Sequence, residues 1–136
     1  MKKLCLISIL VIGLLLIVWA FTKDYSTDSA STKLTLVEFC KTEIDMGQLE
    51  QGMPQTVSFQ FTNKGGQALL IKHVETSCGC TQPIWPKIPV KPGESAEITV
   101  NYDAKSSGLF FKTITVFCNT EKGMIELKIK GKVMLP

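Results

Sequence analysis

The chain has 136 residues, a formal net charge of +3 and 45% hydrophobic residues, which leaves room for one folded core and not for two. All 15 of its basic residues are lysine. The bidentate side chain best suited to phosphate and guanine is therefore missing, no basic footprint accumulates, and nucleic-acid binding is disfavoured.

Lys2 and Lys3 precede an uncharged run from Leu4 to Phe21, apolar except for Ser8 and Gly13. This is the arrangement of a positive n-region feeding a hydrophobic helix, so the chain is expected to be exported. At roughly 18 residues the run exceeds a usual signal-peptide core and approaches a spanning helix. Residues 1–21 are read as a signal peptide, cleaved after Ala20, or as an uncleaved inner-membrane anchor contacting the bilayer through residues 4–21. Cys5 precedes nearly all of the apolar run and so does not fit a lipid-modified cysteine; it reads as a small apolar residue. Residues 22–33 are polar and aperiodic, a short tether.

From residue 34 to 136 the alternation has period two, and no stretch carries the spacing of a surface helix. Val57, Phe59 and Phe61 alternate with Ser58, Gln60 and Thr62, and Asn63-Lys64-Gly65-Gly66 then supplies a turn to Ala68-Leu69-Leu70-Ile71, predicting a hairpin. Parity breaks between Ile71 and Val74, which predicts a bulge near Lys72 and His73. Ala96, Ile98, Val100 and Tyr102 share one parity, as do Ile114, Val116 and Cys118, and Ile125, Leu127, Ile129 and Val133. With Leu34 to Phe39 as a first strand that Ile44 to Leu49 continues or replaces, the reading is an all-β, seven-stranded immunoglobulin-like β-sandwich preceded by an N-terminal hydrophobic helix.

Several segments stand out together: Ile44-Asp45-Met46-Gly47, Phe59-Gln60-Phe61-Thr62-Asn63, Ser77-Cys78-Gly79-Cys80-Thr81 followed by Trp85-Pro86, Pro92-Gly93-Glu94, and Thr113-Ile114-Thr115-Val116. Over about Val37 to Val133 their order resembles domain-of-unknown-function family 1573, bacterial envelope proteins with an immunoglobulin-like fold similar to Hydin-type domains. The resemblance implies a fold and a compartment and brings no known activity. Members commonly carry Phe where Met46 stands, and Cys40 and Cys118 are not part of the pattern.

The Cys78-Gly79-Cys80 corner carries the chemistry available to this chain. An extended Cys-x-Cys holds its alpha carbons near the upper limit for a disulfide, so bridging needs a turn at Gly79. The small ring that results is readily reduced. Three readings follow: a bridge or buried thiol pair locking the loop before Pro83-Ile84-Trp85-Pro86, a thiol-disulfide exchange site, or a copper(I) or zinc site with His73 as third ligand. In an immunoglobulin-like topology the strand ends at Cys78 and Cys118 fall at opposite poles, which argues against pairing either Cys78 or Cys80 with Cys118. Cys40 with Cys118, or each as a free core thiol, both stay open.

Hydrolytic motifs are missing, and His73 is the only histidine. Glu75, Glu94 and Asp103 fall at strand edges or turns, where solvation is their default. Trp85, flanked by Pro83 and Pro86, is a candidate partner anchor that competes with packing over the sandwich end. The sequence thus predicts a noncatalytic binding or scaffolding module of the bacterial envelope, in the periplasm or at the inner membrane, with envelope proteins as partners and no cofactor or resident metal. The alternative is a thiol-disulfide or soft-metal (copper or zinc) handling protein acting through Cys78 and Cys80.

Overall fold

The computed structural model describes residues 33–136. The hydrophobic helix expected at the N-terminus, its cleavage or anchoring, and all but the last residue of the tether lie outside these residues.

Among the described residues, eight strands form two four-stranded sheets. In chain order they are β1 (Val37–Phe39), β2 (Glu43–Glu50), β3 (Gln55–Asn63), β4 (Ile71–Thr76), β5 (Thr81–Ile84), β6 (Ser95–Tyr102), β7 (Gly108–Cys118) and β8 (Met124–Met134). One sheet runs β1-β3-β6-β5 and the other β2-β8-β7-β4. All neighbours are antiparallel except β2, which lies parallel to β8.

The alternation fixes the inner faces. Phe59, Phe61, Ile98 and Val100 from the first sheet meet Ile114, Val116, Leu127 and Ile129 from the second, and all are essentially inaccessible to water. Hiding each such side chain contributes about 1.5–3 kcal/mol before the cost of ordering it. A one-residue slip in any of these strands would turn its apolar set outward, so the register is strongly specified.

The strand count corrects the expectation of seven. The first extended segment is two strands in different sheets. Phe39 pairs with Phe61, the Cys40 amide donates to the Gln60 carbonyl, and by Glu43 the chain has joined β8. The second addition is β5, whose residues Thr81 to Ile84 sit opposite Tyr102 to Thr99 where a loop was expected. Pro83 has no amide to donate, which places β5 where proline is tolerated, at a sheet edge.

The hairpin predicted from Val57 to Ile71 does not form. β3 pairs with β1 and β6, whereas β4 belongs to the opposite sheet, so residues 64–70 cross between layers. Asn63 is the cause. It is fully buried, its amide nitrogen donates to the Gln67 and Val90 carbonyls, and its carbonyl oxygen accepts from the Thr35 hydroxyl and the Gly65 amide. These bonds pull the chain under the N-terminal segment instead of folding it back on β3. The bulge expected at Lys72 and His73 is present as a register shift in β4 between Ile71 and His73.

Candidate functional site

The Cys78-Gly79-Cys80 corner links the last residue of β4 to the first of β5, so it joins the edge of one sheet to the edge of the other. Cys78 and Cys80 are joined by a disulfide with their alpha carbons 5.3 Å apart. Two residues of extended chain would span about 6.7 Å, so the backbone is bent here. Gly79 does not take a left-handed φ, and a Cβ on it would meet nothing within 4 Å. The bend therefore does not depend on glycine's conformational freedom, contrary to what the sequence suggests.

Both flanks of the corner are tied down without the disulfide. The Ser77 amide donates to the Thr113 carbonyl, the Thr113 amide donates back to the Ser77 hydroxyl, and the Asp103 amide donates to the Cys80 carbonyl. The Thr76 hydroxyl donates to the Cys78 carbonyl at 2.8 Å and faces the Thr81 carbonyl at 3.3 Å. Thr81, paired with Tyr102, is buried, and its hydroxyl lies 3.5 Å from Cys78 Sγ and 3.8 Å from Cys80 Sγ. Bonded sulfurs carry no proton, so this hydroxyl is the donor to both. A bridge enclosing three residues removes only about 1.5 kcal/mol of unfolded-chain entropy, which makes it a weak staple in a loop already fixed by hydrogen bonds.

His73 does not join the sulfurs. It stacks on Phe117 with ring centroids 6.3 Å apart, meets the edge of Trp85 at 6.2 Å, and its Nε2 lies 3.6 Å from a Glu75 carboxylate oxygen. Among the described residues, no cluster of three or more His, Cys, Asp and Glu could hold a metal ion. The soft-metal arrangement of Cys78, Cys80 and His73 is thus not assembled: the thiolates it needs are spent in the disulfide, and the imidazole is committed to aromatic neighbours. Trp85 is half-buried against the core, with the Lys87 ammonium 3.0 Å from its ring centroid. One face of the indole is therefore already taken, and the geometry is that of edge packing, which counts against the anchor role.

Cys40 and Cys118 are both free, the first exposed and the second buried with its sulfur 3.5 Å from the Thr120 hydroxyl. Of the carboxylates, Glu94 accepts from the Lys91 amide, Asp103 accepts from the Lys105 amide, and Glu75 meets His73. These are turn and surface contacts. The sequence reading missed the outward side of β7, where Leu109 is 87% and Phe111 56% exposed. They stand opposite Lys132 and Lys130 on β8, with the Lys128 ammonium 5.9 Å from the Phe111 ring centroid. Their parity, opposite to buried Phe110 and Ile114, was the available signal.

A family model described as a protein of unknown function (DUF1573) matches residues 37–133. No curated protein matches the chain. Among solved structures, a protein of unknown function from Porphyromonas gingivalis W83 is 22% identical with a TM-score of 0.67, over 81% of this chain and 51% of that one. The present chain therefore spans about half the length of that protein. The ASH/PapD-like domain 7 of human CEP192 is 11% identical with a TM-score of 0.64, over 76% of this chain and 88% of that domain. The Pseudomonas aeruginosa CupB2 chaperone is 11% identical with a TM-score of 0.52, over 71% and 55%. At these identities the likeness is one of fold.

Proposed function

Since the chain belongs to the DUF1573 family, we propose that it is a noncatalytic binding or scaffolding module of the bacterial cell envelope, working outside the cytoplasm. The observation that carries this reading is the two-sheet sandwich with an apolar outward patch at Leu109 and Phe111, unlike the charged outward residues on neighbouring β8. Sandwiches of this kind present sheet faces, edges and end loops to other proteins. The fold is shared with a PapD-like domain and with a chaperone. The lysine-flanked apolar run at the N-terminus and a disulfide between Cys78 and Cys80 both fit an oxidising compartment beyond the inner membrane. Envelope proteins are the partners this reading requires.

The test is crosslinking in living cells from a photoreactive residue placed at Leu109 in the full chain, followed by fractionation. The expected result is one or a few discrete protein adducts in the envelope fraction, lost when Phe111 is changed to Glu. A chain found in the cytoplasm, or an envelope chain giving no adduct from Leu109, would sink the reading.

A further inference from the structure

We propose that the Cys78–Cys80 disulfide is an exchange site that accepts electrons from dithiols, with the Thr81 hydroxyl receiving the charge of the departing sulfur. This goes beyond the binding-module reading and does not depend on it. Three observations carry it. First, the bridge adds little to the fold, since Ser77, Thr76 and Cys80 are held by hydrogen bonds to Thr113, to the Cys78 and Thr81 carbonyls and to Asp103. The corner can open without releasing β4 or β5. Second, both cysteines are only half-buried and flank exposed Gly79, so a thiol can reach them. Third, Thr81 is buried yet directs its hydroxyl at both sulfurs. A hydroxyl in that position gains most when one of them becomes a thiolate, because hydrogen bonds to a charged acceptor are the stronger ones.

The two sulfurs are not equivalent. Cys80 packs against the core and Cys78 does not, so the incoming thiolate attacks Cys78 Sγ. A new sulfur–sulfur bond forms there as the Cys78–Cys80 bond breaks, and the electron pair leaves on Cys80, beside Thr81. The second thiolate of the same dithiol then attacks its own bridged sulfur and expels the Cys78 thiolate. The dithiol departs as a disulfide, and two electrons and two protons have passed to the cysteine pair. A low barrier follows from a small ring with a stabilised leaving group.

The experiment uses the purified full chain, oxidised, mixed with dithiothreitol without denaturant, quenched over time and alkylated. Peptide masses report Cys78 and Cys80 separately from Cys40 and Cys118, and circular dichroism monitors the fold. The expected result is complete reduction of the pair with an unchanged spectrum, slowed about five-fold in Thr81→Val and restored in Thr81→Ser, as loss of one hydrogen bond to the leaving sulfur implies. A pair that resists reduction until the chain unfolds would overturn the proposal, and so would equal rates in the two Thr81 variants. A second measurement needs no change at Thr81: in Cys78→Ser the pH dependence of Cys80 alkylation should have its midpoint below the ordinary value of about 8.5. A midpoint at or above it also overturns the proposal. Because neither readout involves Leu109 or Phe111, failure here leaves the binding-module reading intact, and the converse holds.

Discussion

Asn63 does more for this fold than its place in an Asn-Lys-Gly-Gly string suggests. Its side chain is fully buried and makes hydrogen bonds to Thr35, Gly65, Gln67 and Val90. Removing it breaks four hydrogen bonds at once, although the Gln67 carbonyl keeps the Thr35 hydroxyl and the Val90 carbonyl keeps the Leu69 amide, so Asn63→Ala is expected to cost about 2–4 kcal/mol in urea unfolding. A loss below about 1 kcal/mol would mean water replaces the amide. The sequence could not reveal this role, because two of the partners lie 27 and 28 residues away. A turn asparagine and a buried clamp look alike along the chain.

Tyr102 makes a second residue-scale prediction. Burial, with the Asp103 carboxylate adding to it, raises its phenol above the ordinary 10.0. The unfolded chain therefore releases this proton first as the solution becomes alkaline. The stability linked to Tyr102 is complete below pH 10.0 and is lost as pH rises from there through the folded pKa. Melting temperatures of wild type and Tyr102→Phe measured up to about pH 11 should fall less steeply in the variant. Parallel curves would show that the ring ionises as freely folded as unfolded.

At the scale of elements, the sequence exposed every long strand and missed the short or divided ones. Where one face packs on the other sheet, alternation is obligatory, and Phe59, Ile98, Ile114 and Leu127 all fall on the expected side. β5 escaped because it has four residues with a proline among them, and an edge strand pairing on one side needs neither length nor alternation. The break between β1 and β2 escaped for a related reason: apolar parity says which face is buried and not which sheet does the burying. Glycines separate in the same way. A Cβ on Gly131 in β8 would sit 2.8 Å from the Gly47 carbonyl oxygen and 2.7 Å from the Phe110 ring, whereas one on Gly79 would meet nothing. Gly131→Ala should therefore cost about 1–3 kcal/mol by pushing β2 and Phe110 outward, and Gly79→Ala should be within about 0.5 kcal/mol of wild type. Equal midpoints in parallel denaturant titrations would contradict this division.

For the whole molecule the question is what holds the two sheets together. The answer divides the candidate site from the fold. The sulfurs bind residues only two apart, so the bridge restrains almost none of the unfolded chain, while the joined layers bury Phe59, Phe61, Ile98, Ile114, Leu127 and Ile129. The pairing of Cys78 with Cys80 was legible because their spacing is unusual, but the bridge's low structural worth was not, since it follows from hydrogen bonds made by Thr76, Ser77 and Asp103. The full chain carrying Cys78→Ser and Cys80→Ser should accordingly fold, with unfolding free energy lowered by no more than about 1.5 kcal/mol and an unchanged denaturant slope. A loss above about 3 kcal/mol, or a changed slope, would mean that the bridge organises the sandwich, and the corner would be structural rather than chemical. A small loss leaves the disulfide free to open and close on a scaffold that does not need it.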